Sequence, residues 1–380
     1  MKNKKVAFIG NLCNCTYWYV KHLREVGIDA YLYIEFKKYD KNRQPILPFK
    51  ADPREEDLSL GASLPSWIKF YHLYSLKNFL KINKEFGQYN LNIAFTRLPI
   101  LLQFCKRPLI IFATGSEMRN WIFKWGFKPI LFKRALKKSQ MVLFDNIDMD
   151  TLKTLDRLNI KKYEWIPDYI SKDYLLDQVK KSRLANDFLK NFKEKLVCFS
   201  PSRLSFSIKG TDILLKSFAN FIDKNKNLAR LLIVDWGENN QKTKDLIKKL
   251  KIQKNVTLLP RMCKGDVIKI MQGSSVIFGY FKNNETGVHH FPIVIMDALA
   301  LGKVVISSID EKAFQKIVGE APPLLRTYNE NDIVTQLRYV LSNYNQVQKE
   351  SEINGPNWIK KYHSKEFIRE KFIRIINKYI

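Results

Sequence analysis

The side chains best suited to chemistry in this chain are two cations, Arg203 and Lys209, on one short polar stretch. The apolar run Leu196–Phe199 before them predicts a buried strand, and Gly210 opens an amphipathic helix pattern. Two fixed cations beside the positive end of a helix form a site for a doubly charged anion such as a diphosphate. The stretch therefore predicts an anion-binding loop where a strand meets a helix.

A second loop, residues 286–292, also leads into a predicted helix, Ile293–Leu301. Pro292 suits the first turn of a helix, where its missing N–H group costs no hydrogen bond. The N–H groups of Ile293 and Val294 would then face outward, and they could meet the same anion. The two loops together predict one site built from two helix starts.

Length and composition indicate a two-domain protein. The 380 residues predict two domains of about 150–200 residues, and the 46% hydrophobic content can supply two cores. No run of about 18 apolar residues is present, so no membrane-spanning helix is expected. The five cysteines are odd in number and lack a repeated C-x-x-C framework, which predicts reduced thiols, a cytoplasmic location and no metal site.

The net charge of +28 has two interpretations. Lysines scattered over solvated faces are the simpler one, and attraction to a membrane, a nucleic acid or an acidic glycan is the other. Residues 118–138 hold seven Lys or Arg and no acid, interleaved with aromatic and aliphatic residues. Such a segment can lie on an anionic membrane surface, or it can be a helix with a buried aromatic face and a basic outer face. The sequence leaves both open.

Strand and helix patterns alternate along the chain, which predicts an α/β protein of two doubly wound, Rossmann-like domains with a cleft between them. The domain boundary is expected near residue 170, and the proline-interrupted segment 40–57 is expected to be an insertion or loop. The predicted strands are Val6–Gly10, Ala30–Ile34, Leu91–Phe95, Leu109–Ala113, Met141–Phe144, Glu164–Ile166, Leu196–Phe199, Arg230–Val234, Val256–Leu259, Val276–Gly279 and Val304–Ser307. The main predicted helices are Tyr17–Val26, Thr211–Asp223, Lys242–Leu250, Asp266–Gln272, Ile293–Leu301 and Trp358–Ile380.

Four segments of the second half, taken in order, resemble the retaining, metal-independent glycosyltransferases of family 4, which have the GT-B fold. They are Ser202-Arg203 to Lys209-Gly210, Leu231–Val234 with the following Asp235–Glu238, Asn255–Arg261, and His289–Gly302 with the strand Val304–Ser307. The resemblance implies that residues 171–359 bind a nucleotide-sugar donor. It also implies that residues 1–170 form the acceptor side, onto which a final helix at 360–380 packs back. No cofactor or metal is expected.

The resemblance also implies roles for single residues. Arg203 and Lys209 would hold the donor diphosphate and stabilise the charge that grows on it as the sugar leaves, which is electrostatic catalysis. The backbone N–H groups of Ile293 and Val294 would face the same diphosphate. Arg261 would lie beside the nucleotide base.

The chain departs from the family where two glutamates, eight positions apart, are usual. Here the two positions hold His289 and Asp297. Asp297 keeps a carboxylate that would accept hydrogen bonds from the ribose hydroxyls, and Glu285 offers a substitute for the missing one. His289 can donate and accept hydrogen bonds, or meet an acidic sugar as a cation. An ordinary loop histidine is the alternative, and the donor sugar stays open.

The acceptor side is predicted from fewer signals. Gly10 and Asn11 end the first predicted strand, and their amides could point into the cleft, although a tight strand-to-helix turn explains the glycine equally well. Thr114 stands near the place where many relatives have a histidine, so no catalytic base is named there. The expected acceptor is a glycan or a lipid-linked glycan at the cytoplasmic face of the membrane.

Two rival functions follow from the same residues. Loss of a family glutamate would leave a catalytically impaired nucleotide-binding protein with the GT-B fold. The high positive charge could serve nucleic-acid binding, but no zinc spacing, helix-turn-helix pattern or aromatic RNA-binding motif supports it. Glycosyl transfer is the function that the retained Arg203 and Lys209 favour.

Overall fold

The structure is a computed structural model that describes residues 4–11, 15–35, 65–71, 84–96, 98–119, 121–185, 188–223, 228–281 and 291–380. The chain divides into two compact units. Unit 1 comprises Met1–Tyr169 and Ser364–Ile380, and unit 2 comprises Ile170–His363. The predicted insertion at 40–57 lies outside the described residues.

Unit 1 is built on a seven-stranded parallel sheet in the order β3-β2-β1-β4-β5-β6-β7. Its strands are apolar runs because helices cover both faces of the sheet, and β4 and β5 are buried along their whole length. The strands are β1 Lys5–Ile9, β2 Asp29–Glu35, β3 Ile68–Tyr71, β4 Leu91–Phe95, β5 Leu109–Ala113, β6 Met141–Phe144 and β7 Tyr163–Trp165.

The helices of unit 1 follow the strands in the alternating order that a doubly wound sheet requires. Helix α5 begins at a true cap, since the Asp148 carboxylate accepts the Thr151 N–H at 2.6 Å. The helices are α1 Cys15–Arg24, α2 Pro99–Leu102, α3 Ser116–Arg119, α4 Phe127–Lys138 and α5 Met149–Arg157, with a short 3₁₀ turn at Trp121–Phe123.

The last helix of the chain, Lys365–Tyr379, completes the core of unit 1. The Phe372 ring packs edge-on against Phe8 of β1, with 5.4 Å between ring centroids. The Lys371 ammonium donates to Glu164 at 3.1 Å, beside β7. The chain therefore returns to its first sheet after completing unit 2.

Unit 2 is built on a six-stranded parallel sheet in the order β10-β9-β8-β11-β12-β13. Its central strand is buried along its whole length, and the Phe218 and Phe221 rings of the following helix pack into the core beneath it. The strands are β8 Leu196–Ser200, β9 Ala229–Val234, β10 Val256–Leu259, β11 Val276–Phe278, β12 Val304–Ser307 and β13 Leu325–Arg326.

The helices of unit 2 again alternate with strands. They are α6 Lys172–Lys180, α7 Phe206–Lys209, α8 Thr211–Asp223, α9 Asn240–Lys249, α10 Lys264–Gly273, α11 Ile293–Ala300, α12 Glu311–Ile317 and α13 Glu330–His363, with a 3₁₀ turn at Phe188–Asn191; the last helix of the chain, described above, is α14. The backbone of α13 is non-helical at Asn343.

The predicted fold class is confirmed, since both sheets are parallel and each unit is doubly wound. The prediction for the tail of the chain was wrong. The tail was expected to be one helix over Trp358–Ile380, but α13 ends at His363 and Ser364 caps α14 by accepting the Phe367 N–H at 3.3 Å. The sequence is amphipathic both before and after Ser364, so the pattern alone did not show that Ser364 begins a new helix.

Candidate functional site

The carboxyl edge of the sheet in unit 2 has a topological switch point between β8 and β11. The chain leaves β8 toward β9 on one side, and β11 then pairs with β8 on the other side. In open α/β sheets ligands bind at this point, beyond the carboxyl ends of the strands. The segment that follows β8 at this switch point carries Arg203 and Lys209.

The segment after β8 is fixed on one side by the segment after β9. The Leu204 N–H donates to the Trp236 carbonyl at 2.8 Å, and the Leu204 carbonyl accepts the Asn239 N–H at 3.1 Å. Gly237 has a φ of +133°, and a Cβ atom there would lie 2.4 Å from the Leu204 oxygen. Only glycine allows this approach, so the two segments hold each other by backbone contacts.

The same segment is fixed on its other side by the residues after β11. The Phe281 N–H donates to the Lys209 carbonyl at 3.1 Å. Gly210 has a φ of +64°, and a Cβ atom there would lie 1.4 Å from the Phe281 carbonyl oxygen. A side chain at residue 210 would therefore force the two loops apart.

Lys209 is not in a loop, as the sequence suggested, but at the end of the four-residue helix α7. Ser205 caps this helix by accepting the Ile208 N–H at 3.2 Å. The sequence did not predict this cap, because a serine among polar residues is equally common in a loop. The Lys209 ammonium lies 3.7 Å from the centroid of the Tyr280 ring, in a cation–π contact. Arg203 is half-exposed on the loop between β8 and α7.

Sequence reasoning did not identify Tyr280. Its side chain is buried, and its backbone is held by the end of β12: its N–H donates to Ser307 Oγ at 3.0 Å, and its carbonyl accepts the Ser308 N–H at 2.8 Å. An aromatic residue just beyond a buried strand was the available signal, because such a position lies at the carboxyl edge of the sheet.

Helix α11 begins at Ile293, as predicted, but Pro292 precedes its first turn instead of lying in it. Pro292 has an extended backbone and is the N-cap residue, so the first helical turn starts at Ile293. The Pro292 carbonyl accepts the Ile295 N–H at 2.9 Å. Within the described part of the chain, the N–H groups of Ile293 and Val294 meet no acceptor, which agrees with the orphan donors expected at a helix start.

Asp297 lies on α11 with only 2% of its surface exposed, and its carboxylate forms an ion pair with the Lys264 ammonium. Lys264 is the first residue of α10, a helix distant in sequence. The carboxylate that the resemblance assigns to the ribose is thus already oriented by a lysine. The sequence offered no signal for this pairing, because it depends on how two helices approach each other.

The remaining donor-side residues are only partly described. Arg261 is exposed just after β10, and its guanidinium lies 5.9 Å from the Trp236 ring, next to the loop that holds Leu204. His289 and Glu285 lie outside the described residues.

In unit 1 the switch point lies between β1 and β4, where Gly10 and Asn11 follow β1. The Gly10 N–H donates to the Tyr33 carbonyl at 2.8 Å, which extends the pairing of β1 with β2. Asn11 Oδ1 accepts the Tyr17 N–H of α1 at 3.2 Å. The Gly10 amide is therefore used inside the sheet, which favours the strand-to-helix turn for this glycine.

Thr114, at the end of β5, belongs to a polar network. Its N–H and hydroxyl both donate to Glu117 Oε1, at 2.7 and 3.3 Å, and its carbonyl accepts from the Asn146 amide at 2.9 Å. The same amide donates to Asp145 at 2.7 Å. Burial raises the pKa of the Asp145 carboxyl well above its usual value, and the nearby carboxylates of Asp168 and Glu117 raise it further.

Two structural features are absent from the residues that the structure describes. No helix among them is both long and apolar enough to span a bilayer. No group of three or more His, Cys, Asp or Glu side chains among them is arranged to hold a metal ion.

Comparison with known families gives a match within unit 2. Residues 182–358 match the family model described as "Glycosyl transferases group 1". The matched range contains the segment after β8, the Tyr280 segment and helix α11. No curated protein sequence matches the chain.

Solved structures of the same fold cover nearly the whole chain. HepE from Anabaena in complex with UDP and glucose is 13% identical over 99% of this chain and 100% of that chain, with a TM-score of 0.68. A glycosyltransferase from Rickettsia africae is 16% identical over 100% and 99%, with a TM-score of 0.69. WaaG, a glycosyltransferase involved in lipopolysaccharide biosynthesis, is 15% identical over 98% and 99%, with a TM-score of 0.61.

Proposed function

We propose that this chain, a glycosyltransferase with the GT-B fold whose second unit carries the glycosyl transferases group 1 domain, moves a sugar from a nucleotide diphosphate sugar to a glycan or lipid-linked acceptor. The anomeric configuration is retained, and the reaction takes place at the cytoplasmic face of the membrane. HepE, solved with UDP and with UDP-glucose, supports the donor class. WaaB, a lipopolysaccharide galactosyltransferase, and WaaG support an envelope glycan as acceptor.

One observation carries the proposal: two cations lie on a backbone-clamped segment at the switch point of unit 2. The segment is held from both sides, by Leu204 contacts to the β9 loop and by the Gly210 contact to Phe281. A rigid segment loses little conformational freedom when it binds an anion, so its charges are preorganised. Preorganised positive charge is what a departing diphosphate requires.

The chemistry follows from these charges. As the bond between the anomeric carbon and the diphosphate oxygen breaks, negative charge grows on the diphosphate, and Arg203 and Lys209 stabilise it. The acceptor oxygen forms the new bond to the anomeric carbon on the same face, and the acceptor proton passes to a diphosphate oxygen. The transition state is therefore bound more tightly than the ground state.

Asp297 supports a second candidate, a nucleotide-binding protein with impaired transfer. Its carboxylate is paired with Lys264 and is shorter than the glutamate usual at this position. If the ion pair between Asp297 and Lys264 persists when the nucleotide sugar binds, the ribose hydroxyls lose a hydrogen-bond acceptor and the nucleotide sugar binds less tightly. This alternative predicts nucleotide binding without turnover.

The experiment that separates the two candidates starts with thermal unfolding of the full chain in the presence of nucleotide sugars and free nucleotides. A ligand that binds only the folded state raises the Tm. The best donor is then tested for release of free nucleoside diphosphate with a panel of glycan acceptors. Turnover supports the transferase, and a Tm increase without turnover for any acceptor supports the binding protein.

Variants Arg203→Ala and Lys209→Ala test the assigned roles. Each is expected to lower kcat by about 100-fold or more, in line with the loss of one charge-stabilising donor in other enzymes. Lys248→Ala, an exposed lysine on α9, is the matched control and should keep wild-type turnover. Undiminished kcat in both variants, with unchanged Tm, would reject the roles.

A further inference from the structure

Residues 121–130 present large apolar side chains to solvent. Trp125 is 100% exposed, Phe127 74% and Ile130 59%, while Phe123 is 39% exposed. Folded monomers rarely leave so many neighbouring large apolar groups in water unless the surface has a binding function. The simpler interpretation of this segment, a helix with a buried aromatic face, does not explain these four exposed side chains.

The exposed side chains stand on a folded element. Ile122 and Phe132 are fully buried, and the Trp121 ring packs edge-on against Phe132 with 5.6 Å between centroids. Helix α4 also receives a hydrogen bond from outside itself, since Gln103 Nε2 donates to the Leu131 carbonyl at 3.2 Å. The apolar groups are therefore held outward by a packed framework.

Two residues from other elements enlarge this surface. Phe104, 47% exposed after α2, lies 5.9 Å from the Arg134 guanidinium. Arg157, at the end of α5, lies 4.8 Å from the Phe123 ring. Neither was part of the sequence pattern. The aromatic–basic surface, as we name it, consists of Phe104, Phe123, Trp125, Phe127 and Ile130 with the cations Lys124, Lys128, Lys133, Arg134, Lys137 and Arg157.

The charge of the surface has one sign where the apolar groups are densest. No Asp or Glu occurs between residues 118 and 138, and Lys124, Lys128 and Lys137 are exposed there. Long cationic side chains can lay their carbon stems on apolar surface while the charged ends reach outward. An apolar centre with a positive rim is complementary to a bilayer that has hydrocarbon beneath anionic headgroups.

We propose that the aromatic–basic surface docks unit 1 onto an anionic lipid bilayer, with Trp125, Phe127 and Ile130 inserted at the headgroup boundary. A nucleic acid would neutralise the cations but would leave aliphatic Ile130 without an apolar partner. The docking does not rest on the proposed transferase reaction, and it assigns the partner to a surface distinct from the switch-point site of unit 2.

The test is co-flotation of the full chain with vesicles of phosphatidylcholine alone and of equimolar phosphatidylcholine and phosphatidylglycerol. The wild type should bind the mixed vesicles at least about tenfold more tightly, and the preference should fall as salt is raised. The triple variant W125A/F127A/I130A and the double variant K128E/K137E should each weaken that binding by about tenfold or more.

Matched controls separate local from global effects. K248E/K249E on α9 of unit 2 changes the net charge as much as K128E/K137E does, and both residues are exposed. Ile353→Ala removes another exposed apolar side chain, one that is 62% accessible in unit 2. Both controls should bind the mixed vesicles as the wild type does.

Tryptophan fluorescence tests insertion itself. All seven tryptophans lie in the described part of the chain, and Trp125 is the one that is fully exposed. Mixed vesicles should shift the wild-type emission to the blue, and Trp125→Phe should remove most of that shift while it keeps most of the binding.

Three results would overturn the proposal. One is equal binding to both vesicle types, and another is vesicle binding that the triple variant leaves unchanged. The third is strong binding to a random-sequence DNA duplex that depends on Lys128 and Lys137, with no binding to vesicles. Loss of vesicle binding with full transfer to a soluble acceptor would leave the transferase proposal intact.

Discussion

The segments that carry the candidate residues differ in charge between the two units. In unit 2 the segment after β8 carries the cations Arg203 and Lys209, whereas in unit 1 the segments after β5, β6 and β7 carry the acids Glu117, Asp145 and Asp168, and Asp168 and Glu117 act on the Asp145 carboxyl. The carboxyl edges of the two sheets have the same architecture, a parallel sheet with a switch point beside its first strand. The fold therefore fixes where chemistry happens, and the side chains after each strand decide which charge can be bound there.

The edges also differ in how closely their backbones approach. A Cβ atom at Gly210 would lie 1.4 Å from a backbone oxygen of Phe281, whereas one at Gly10 would meet the Phe95 and Leu98 side chains at 3.0 and 3.1 Å. Side chains can shift by a few tenths of an ångström, but a paired backbone cannot. Unit 2 thus holds its candidate anion site more rigidly than unit 1 holds its first loop.

The largest expected effect tests this difference in rigidity. Gly210→Ala should destabilise the protein by about 3 kcal/mol or more, because it adds a strained positive φ to a backbone clash. Gly319→Ala is the control in the same unit, since Gly319 has a φ of +89° but nothing within 4 Å of a Cβ atom. That control should cost about 1–2 kcal/mol. Chemical denaturation followed by circular dichroism measures both, and equal losses would contradict the clamp.

A smaller effect is expected at Tyr280. Tyr280→Leu removes the ring beneath the Lys209 ammonium and should raise the donor KM by about fivefold to tenfold, the range expected for a cation–π contact. Tyr280→Phe keeps the ring and should behave as the wild type. Steady-state kinetics with the best nucleotide-sugar donor measures the KM of both variants. If Tyr280→Phe were as impaired as Tyr280→Leu, the hydroxyl rather than the ring would matter.

The smallest effect is on stability in unit 1. The pKa of Asp145 is raised in the folded state, so the folded protein holds that proton more tightly than the unfolded chain does. Ionisation therefore costs stability as pH rises above the usual aspartate value of about 3.9. Asp145→Asn should raise the Tm at neutral pH, and the gain should shrink to nothing as the pH falls below that value.

Asp177 provides the opposite control. Its side chain is exposed, and a hydrogen bond and ion pair with Lys180 lower the pKa of its carboxyl. Asp177→Asn should therefore give no gain in Tm at neutral pH. Thermal unfolding of both variants between acidic and neutral pH tests the pair, and a pH-independent gain for Asp145→Asn would show that its charge is not the cause.

Much of the fold was predictable because its signals are local. Six predicted elements, among them Leu91–Phe95 and Thr211–Asp223, have the bounds that the structure gives them. Their apolar patterns end at proline, polar or charged residues, and such local signals agree with the final fold. Strand β3, Ile68–Tyr71, was not predicted, since four residues that include a lysine give too weak an alternation.

The tail shows where local signals mislead. The predicted tail helix began at Trp358, just after Gly355 and Pro356, yet α13 continues through both residues. A Cβ atom at residue 355 would lie 2.5 Å from the Leu299 carbonyl oxygen, so the glycine is there to let two helices touch. The actual break at Ser364 was not predicted, because a serine in an amphipathic pattern is an ordinary surface residue as often as it is a cap.

The candidate site was predictable in part for the same reason. Arg203 and Lys209 lie in the segment that follows β8. Their position at the switch point could therefore be predicted from the order of elements along the chain. Tyr280 under Lys209 and Lys264 beside Asp297 are pairings between distant segments. Such contacts depend on the packing of helices and loops, which one sequence does not report.

The most direct test of the central claim is calorimetric titration with the nucleoside diphosphate that stabilises the protein best, and with its monophosphate. The wild type should bind the diphosphate more tightly. Arg203→Ala and Lys209→Ala should each weaken diphosphate binding by about tenfold to 100-fold, as expected when a hydrogen bond to a charged group is lost, and leave monophosphate binding nearly unchanged. If both folded variants kept the full preference for the diphosphate, the two cations would not be what holds it.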